Sequence, residues 1–408
     1  MTTSPAGPGR GRKASPAMRL LYVTEGVPNR DPVHGDGSSM IPFEVIRHLP
    51  AGVRLTLLTF AGPVEVPAAV RDRCDRVVVL DPRSRRRALA LSAVTSRSVG
   101  GARLATRAAR AAVRRLSAAA DVTLVHGPHA TTLAPEVRGP LVVQVVDPWS
   151  LRVDMEAALA TGPRAAYRRH KAAQALASEQ ALPARARLLS VSTADADRWS
   201  GLLGRPVRGI ANGTDEVPGR WQRPTTPTIC FVGSLSYPPN VESATILVKE
   251  VAPRLWRLVP DLRVVLAGRQ PAPAVQALAG ERVEVRANVP SVEDVFRSSS
   301  VAVFPDRHGL GVRNSVREAI ACGVPVVATT AAAREQPAHP LLKIARDDEE
   351  LVELTAAAVT QVGPTTSAPS GSESVDLPPQ RTWRVVAEEY LDECARVLEP
   401  RAGSPQRA

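Results

Sequence analysis

Apolar residues in this chain fall into short β-branched runs bounded by glycine, proline and aspartate, with alanine-rich stretches of helical length between them. That alternation predicts parallel sheets with crossover helices. In the first half, strands are expected at residues 20–24, 53–59, 77–80, 122–125, 141–146, 188–191 and 207–210. In the second half they are expected at 229–232, 264–267, 283–286, 301–304 and 324–328. Between the two sets, GTDEVPGRWQRPTTPT lacks apolar periodicity and is rich in Pro, Gly and Thr, as interdomain linkers are. The reading is a first domain over 18–213, a linker over 214–227 and a second domain over 228–361.

Three segments lack core-forming pattern. Residues 1–17 and 400–408 read as tails, and 362–380, VGPTTSAPSGSESVDLPPQ, as a flexible low-complexity loop. After that loop the pattern resumes over 381–399, where Val386, Tyr390, Leu391 and Val397 recur at helical spacing. A single helix needs a surface to pack on, and the first domain is the one expected to supply it.

Composition narrows the class. With 408 residues, 44% of them apolar, the chain can build two cores of ordinary size. Its 4 cysteines, Cys74, Cys230, Cys322 and Cys394, have neither zinc-site spacing nor the density of a disulfide scaffold. No apolar run approaches the roughly 18–20 residues that span a bilayer, so a soluble, cytoplasmic protein is expected. The net charge of +12 is concentrated between residues 83 and 115, which carry Arg83, Arg85, Arg86, Arg87, Arg97, Arg103, Arg107, Arg110, Arg114 and Arg115 without an acidic residue. Arg103, Arg107, Arg110 and Arg114 recur at helical spacing and predict an amphipathic basic helix. Such a helix is either a solvated face or a peripheral contact with an anionic membrane surface. Aromatics are 3% of residues, too few for the stacking platforms of a nucleic-acid binder, so no nucleic-acid partner is expected.

Ligands of such sheets sit beyond the C-terminal ends of the strands, so the loops there carry the candidate chemistry. After the first strand comes Gly35-Asp36-Gly37-Ser38-Ser39, which either brings backbone close to a ligand or is a plain turn capped by serine. It has neither G-x-G-x-x-G nor P-loop spacing. LVHGPHAT places His126 and His129 after a strand, as acid–base candidates or as structural histidines. In the second half, strands end at Gly233 and at Gly268-Arg269, a loop follows at 288–290, and Ser291 with Asp294 predicts a helix cap. Then comes GLGVRNSVREAIACGVPVVAT, residues 309–329: a glycine loop, a helix from about Asn314 and a Gly-Val-Pro turn. Glu318, one turn into that helix, either holds a vicinal diol such as ribose or simply offsets the positive end of its own helix.

CFVGSLSYPPNVES, VVLAGRQPAPAV, NVPSVEDVFRSSSVAVFP and the 309–329 stretch, in that order, resemble the donor-binding domain of group 1 (family 4-like) retaining glycosyltransferases of the GT-B fold. The branch most resembled is the exosortase-associated sugar transferases of exopolysaccharide clusters. LLYVTEGVP with GDGSS, VVDPWSLR, LLSVSTADADRW and IANGTD resemble its first-domain segments, so the likeness covers about three quarters of the chain. It implies two Rossmann-like domains with parallel sheets facing a central cleft, and a terminal helix crossing back to the first domain. It also implies transfer of a hexose from a nucleotide-diphosphate sugar to an acceptor hydroxyl with retention of configuration. The acceptor would be a glycan, a glycolipid or a small-molecule aglycone, in surface polysaccharide or secondary-metabolite glycosylation.

By position, Glu318 matches the acidic residue that holds the ribose, and Gly309, Gly311 and Val312 the loop facing the donor sugar and diphosphate. Gly233 and Arg269 match strand ends of the nucleotide cleft, Val289 the residue whose backbone meets the base, and Gly35, Asp36 and Gly37 the loop that closes over the diphosphate. Asp147 matches an acidic position on the acceptor side. Leu310 stands where the family motif has its first Glu, and Ser315 where it has Lys; Arg313 and Arg269 are the cations placed to take over. The catalytic set expected is thus Asp147, His129 and Arg313. No cofactor is expected, and without an acidic D-x-D cluster at a strand end the transfer is expected to be metal-independent. A sugar-nucleotide epimerase and a non-catalytic GT-B partner subunit are the alternatives the sequence leaves open.

Overall fold

A computed structural model describes residues 18–35, 37–95, 97–158, 162–215, 217, 221–308, 312–360 and 381–399. The two tails and the segment 361–380, with the loop expected there, lie outside the described residues, as do Asp36, Gly309, Leu310, Gly311 and part of the expected linker. The first sheet is formed by β1 (Arg19–Thr24), β2 (Arg54–Phe60), β3 (Arg76–Leu80), β4 (Val122–His126), β5 (Leu141–Gln144), β6 (Arg187–Ser190) and β7 (Val207–Gly209), in the order β3-β2-β1-β4-β5-β6-β7. The second contains β8 (Thr228–Val232), β9 (Arg263–Gly268), β10 (Val283–Ala287), β11 (Val301–Phe304), β12 (Val326–Thr329) and β13 (Leu342–Ala345), in the order β10-β9-β8-β11-β12-β13. Every pairing between these strands is parallel.

The first half also holds helices α1 (Gly37–His48), α2 (Ala68–Arg71), α3 (Arg85–Val94), α4 (Val99–Leu104), α5 (Arg107–Ser117), α6 (Trp149–Ala158), α7 (Gly162–Gln180) and α8 (Thr193–Leu203). The second half holds α9 (Pro238–Ile246), α10 (Ala252–Leu258), α11 (Pro273–Gln276), α12 (Val292–Arg297), α13 (Asn314–Ala321) and α14 (Asp348–Thr360), followed by α15 (Trp383–Arg396).

Strand alternation sends successive residues of the first sheet to opposite cores. Leu20 and Tyr22 join Ile41, Val45 and Ile46 of α1 on one face, while Leu21 and Val23 join Val113 and Leu116 of α5 on the other. The face with α1 is completed by α15, whose Trp383, Val386, Tyr390 and Cys394 are all buried in it. Gln144 of β5 donates to the Tyr390 hydroxyl at 2.5 Å, and Glu393, with a fully buried side chain, pairs with Arg187 and with Arg208 at 2.9 Å. The returning chain presses on Gly213, where a Cβ would sit 2.5 Å from Trp383 N. Only glycine leaves room for that crossing.

The IANGTD segment and a C-domain loop join the halves. Arg317 donates to the Asn212 carbonyl, and Asn212 Nδ2 donates to Asn314 Oδ1 at 3.0 Å. Glu335 accepts from Ser192 Oγ at 2.8 Å, from the Thr193 N–H at 2.7 Å and from the Ala194 N–H, so a second-domain carboxylate satisfies orphan donors at the start of α8. Arg334 pairs with Asp195 beside it.

Three expectations change. β13, LKIA, was not expected, because Lys343 interrupts its apolar run. The strand expected to reach 146 stops at Gln144 because Val146 takes φ 62°, a costly conformation for a β-branched residue; the Val191 N–H and Ser190 Oγ, both at 3.1 Å from its carbonyl oxygen, hold it there. The basic stripe is not one helix: Arg103 belongs to α4, and α5 begins afresh after Thr106, whose side chain accepts from the Ala109 N–H. Arg110 and Arg114 of the stripe both pair with Glu136, at 3.0 and 2.7 Å.

Candidate functional site

Chain order reverses between β1 and β4 in the first sheet and between β8 and β11 in the second. Crevices at such points, beyond the strands' C-terminal ends, are where open α/β sheets bind ligands. Each sheet has a cavity at its reversal point, and the larger lies between the domains.

Backbone crowding shapes the second-domain wall. Gly268 ends β9 so close to Gly233, the residue after β8, that a Cβ on Gly268 would lie 1.6 Å from the Gly233 oxygen. Asn288, with φ 53°, accepts at Oδ1 from the Gln270 N–H at 2.9 Å and so fixes the loop carrying Val289 against Arg269-Gln270. Ser291 caps α12 as expected, accepting from the Asp294 N–H at 3.2 Å. α13 begins at Asn314, which puts Glu318 in its second turn.

Arg313, just before α13, has an environment the sequence did not reveal. Its guanidinium lies 4.9 Å from the ring centroids of both Phe231 and Phe304. One terminal nitrogen donates to Asp306 Oδ2 at 2.6 Å and to Asn240 Oδ1 at 3.1 Å. Nε and the other terminal nitrogen are buried without a hydrogen-bond partner among the described residues. Burial lowers its pKa against the opposing effect of Asp306, yet a guanidinium stays charged throughout the physiological range. Glu318 is the acceptor counterpart. Its carboxylate lines the same cleft with no hydrogen bond among the described residues, and burial raises its pKa while Arg30 and Arg269 pull it down.

The first-domain wall of the cleft is formed by Arg30, Asp31, Pro32, Gly35, Gly37 and Met40. Gly35 is buried, its N–H bonded to the Asp31 carbonyl at 2.9 Å, and a Cβ there would lie 2.7 Å from that oxygen. α1 starts at Gly37, inside the glycine run read as loop, so the ligand-facing segment is also a helix N-terminus. Arg30 reaches across to Asp215 and is held at 2.5 Å by buried Glu44.

Gly35, Gly37, Gly233, Arg269, Val289, Val312, Arg313 and Glu318 thus line one cleft of about 650 Å³. Asp36, Gly309 and Gly311 lie outside the described residues. His129 does not line this cleft. It lines the first-domain cavity of about 370 Å³, its Nδ1 bonded to Ser98 Oγ at 2.9 Å and its ring packed against Gly100 and Trp149. Asp147 lines neither cavity. The Val146 turn aims it at Arg152, 2.9 Å away, and burial raises its pKa. His126 is fully buried, takes Tyr22 OH as its Nδ1 partner at 3.1 Å and has its pKa lowered to about 3 by burial, which removes it as an acid–base group. The sequence reading missed Arg30, Asn240 and Asp306, because strand-end loops do not reveal which side chains converge across a cleft.

Residues 226–361 match the family model for group 1 glycosyl transferases. No curated protein matches the chain by sequence. HepE of Anabaena, solved in complex with UDP and glucose, superposes with a TM-score of 0.56 at 14% identity over 93% of this chain and 97% of its own. WaaG, a glycosyltransferase involved in lipopolysaccharide biosynthesis, superposes at 0.55 with 13% identity over 91% and 95%. The fold is GT-B. A UDP-forming α,α-trehalose-phosphate synthase of Burkholderia xenovorans has the same architecture at a TM-score of 0.56, 13% identity and 94% and 100% coverage. In GT-B terms the larger cleft is the interdomain one, and the matched segment supplies its second-domain wall. Among the described residues, no group of three or more His, Cys, Asp or Glu is arranged to hold a metal ion, and no helix is long and apolar enough to cross a membrane.

Proposed function

We propose that this chain is a retaining glycosyltransferase that moves a hexose from a nucleoside-diphosphate sugar to an acceptor hydroxyl. One observation carries the reading: a single interdomain cleft holds an acceptor-only carboxylate, Glu318, and the positive charge of the Arg313 and Arg269 guanidiniums. A ribose diol satisfies the first and a diphosphate the second. Gly233 and Gly268, lacking side chains, let the two strand ends and Asn240 pack closely in the wall of that cleft. The UDP and glucose bound by HepE support the same donor class.

In the proposed step the acceptor oxygen bonds to the anomeric carbon from the face the diphosphate is leaving. The carbon–phosphate-oxygen bond breaks, and the leaving phosphate oxygen takes the acceptor proton. Arg313 and Arg269 offset the charge that grows on that oxygen, an effect worth several kcal/mol in a water-poor cleft. In this reading His129, in the first-domain cavity, stands on the acceptor side, and Asp147, turned onto Arg152, takes no part. No metal is required, so turnover should survive EDTA; full loss restored by manganese would refute this part. Thermal-shift titration with UDP, GDP, ADP and dTDP and their sugars tests the reading, since a bound donor raises the melting temperature by mass action. No shift with any of them would sink it.

A second reading, a non-catalytic GT-B subunit that binds the nucleotide-sugar for a partner, is favoured by the pairing of Arg313 with Asp306, which partly neutralises the cation, and by Ser315 beside it. Nucleotide binding without turnover across a broad acceptor panel is its expected signature.

A further inference from the structure

We propose that the acceptor is anionic, a monosaccharide-sized ring bearing a phosphate or carboxylate, and that Arg103 binds that anion at the mouth of the first-domain cavity. The inference rests on the glycosyltransferase reading and names its second substrate class.

The cavity lies at the β1/β4 reversal point, with Glu25 from the end of β1 and His129 from the end of β4 in its wall. At about 370 Å³ it falls at the small end of ligand pockets, the size of one sugar ring with a substituent. One segment separates it from the donor cleft: His34, Ser38 and Ser39 line the cavity, whereas Asp31, Gly35 and Gly37 line the cleft. The two spaces thus share one wall, past whose edge a hydroxyl of a ring in the cavity has to reach a sugar held in the cleft.

Charge then selects the ligand. The carboxylate of the wall, Glu25, is turned inward and accepts from the His129 N–H at 2.9 Å. Arg103, on α4, is the permanently charged cation among the described lining residues; it is exposed, with its Nε 3.4 Å from the Arg83 carbonyl. Beyond it lies the rest of the basic segment. Glu136 engages Arg110 and Arg114, but Arg85, Arg86, Arg87, Arg107 and Arg115 form no ion pair among the described residues. Of the segment's described arginines Arg103 is the one that lines the cavity, and a fixed cation at a concave mouth raises the local concentration of anions there. Hydroxyl end inward at His129 and anion outward at Arg103 is the orientation this wall supports. A free sugar phosphate or uronate and a phospholipid head group share that chemistry.

The test uses the full-length protein saturated with whichever nucleotide gives the largest thermal shift. Binding is measured by calorimetry for glucose 6-phosphate, mannose 6-phosphate and glucuronic acid against glucose and mannose, and by co-sedimentation with vesicles of phosphatidylinositol in phosphatidylcholine against phosphatidylcholine alone. At least one anionic probe should bind where its neutral counterpart does not. Arg103→Ala should weaken it by about tenfold or more, the factor one charge-assisted hydrogen bond supplies. Arg103→Lys should recover part of that loss, and neither variant should change nucleotide affinity. A soluble probe that binds assigns a free acceptor, and vesicle retention alone assigns a lipid-borne one. Preference for a neutral sugar, an unchanged Arg103→Ala, or no anionic probe retained by the nucleotide-loaded protein overturns the proposal. Absence of nucleotide binding instead overturns the reading it rests on.

Discussion

Glu318→Gln should weaken nucleotide binding and stabilise the empty protein at the same time. As a carboxylate, Glu318 can accept two charge-assisted hydrogen bonds from a ribose diol, each contributing about 1.5–3 kcal/mol. An amide keeps one uncharged acceptor and turns the other into a donor, so roughly 3 kcal/mol of the pair is lost, about a hundredfold in Kd. In the empty cleft the sign reverses. Burial raises the carboxyl pKa, so the native state holds this proton more tightly than the unfolded chain does. Stability is therefore lost as pH rises from the ordinary glutamate range through the raised value, and the penalty is complete above it. The glutamine variant has no such penalty. It should melt higher than the parent at pH 7, and most of the gain should be gone by pH 4, just below the ordinary glutamate value of about 4.3. Calorimetric titration with the best-binding nucleotide and melting curves between pH 4 and 8 give both readouts. An affinity unchanged by the substitution removes Glu318 from the site. A lower melting temperature at pH 7 means that the carboxylate is tied into the protein rather than kept for a ligand.

Gly268→Ala puts a methyl 1.6 Å from the Gly233 oxygen, and should cost about 2–4 kcal/mol in denaturant unfolding together with nucleotide affinity, because both strand ends must part. Trp383→Ala should cost about 3–5 kcal/mol, read as a lower denaturation midpoint; a loss under 1 kcal/mol would mean α15 is not part of the first core. His126, depressed to about 3 by burial, stays neutral in the native protein while the unfolded chain protonates near 6.5. Its share of stability is present above that value and is lost as pH falls toward 3, by about 1.4 kcal/mol per unit, so His126→Gln should flatten the acid limb of the stability profile. An NMR titration showing His126 protonated at pH 5 would contradict this.

Buried parallel strands announce themselves as β-branched runs, which is why β1 and β11 stand where the periodicity puts them, while β13, with Lys343 inside it, does not show. That Gly233, Arg269, Val289 and Glu318 line one cleft was legible for a related reason: they follow strand ends that adjoin one another in a single sheet. His129 also follows a strand end, but of the other sheet, and periodicity carries no information about which loops share a cavity. Asp147 was displaced by the left-handed turn at Val146, a conformation that no propensity assigns to valine. The arginine stripe misled because its spacing continues through a cap. Thr106, three residues before Ala109, is the signal that one helix ends and another begins there. IANGTD was recognisable by likeness, but its physical role is visible only in three dimensions: Asn212 holds α13, Gly213 admits the returning chain and Asp215 receives Arg30.

The passage of α15 into the first core has a consequence for biosynthesis. A ribosome finishes the strands of the first domain by Ile210, but the tryptophan and tyrosine that cover one face of that sheet come only after the entire second domain has been made. At about 5–20 residues per second the delay is on the order of 10–35 s. For that interval the parts of α1, β4 and β5 on which α15 packs lack that cover. The nascent first domain is then expected to expose apolar surface until α15 arrives, and a chain cut short before Trp383 to keep it exposed.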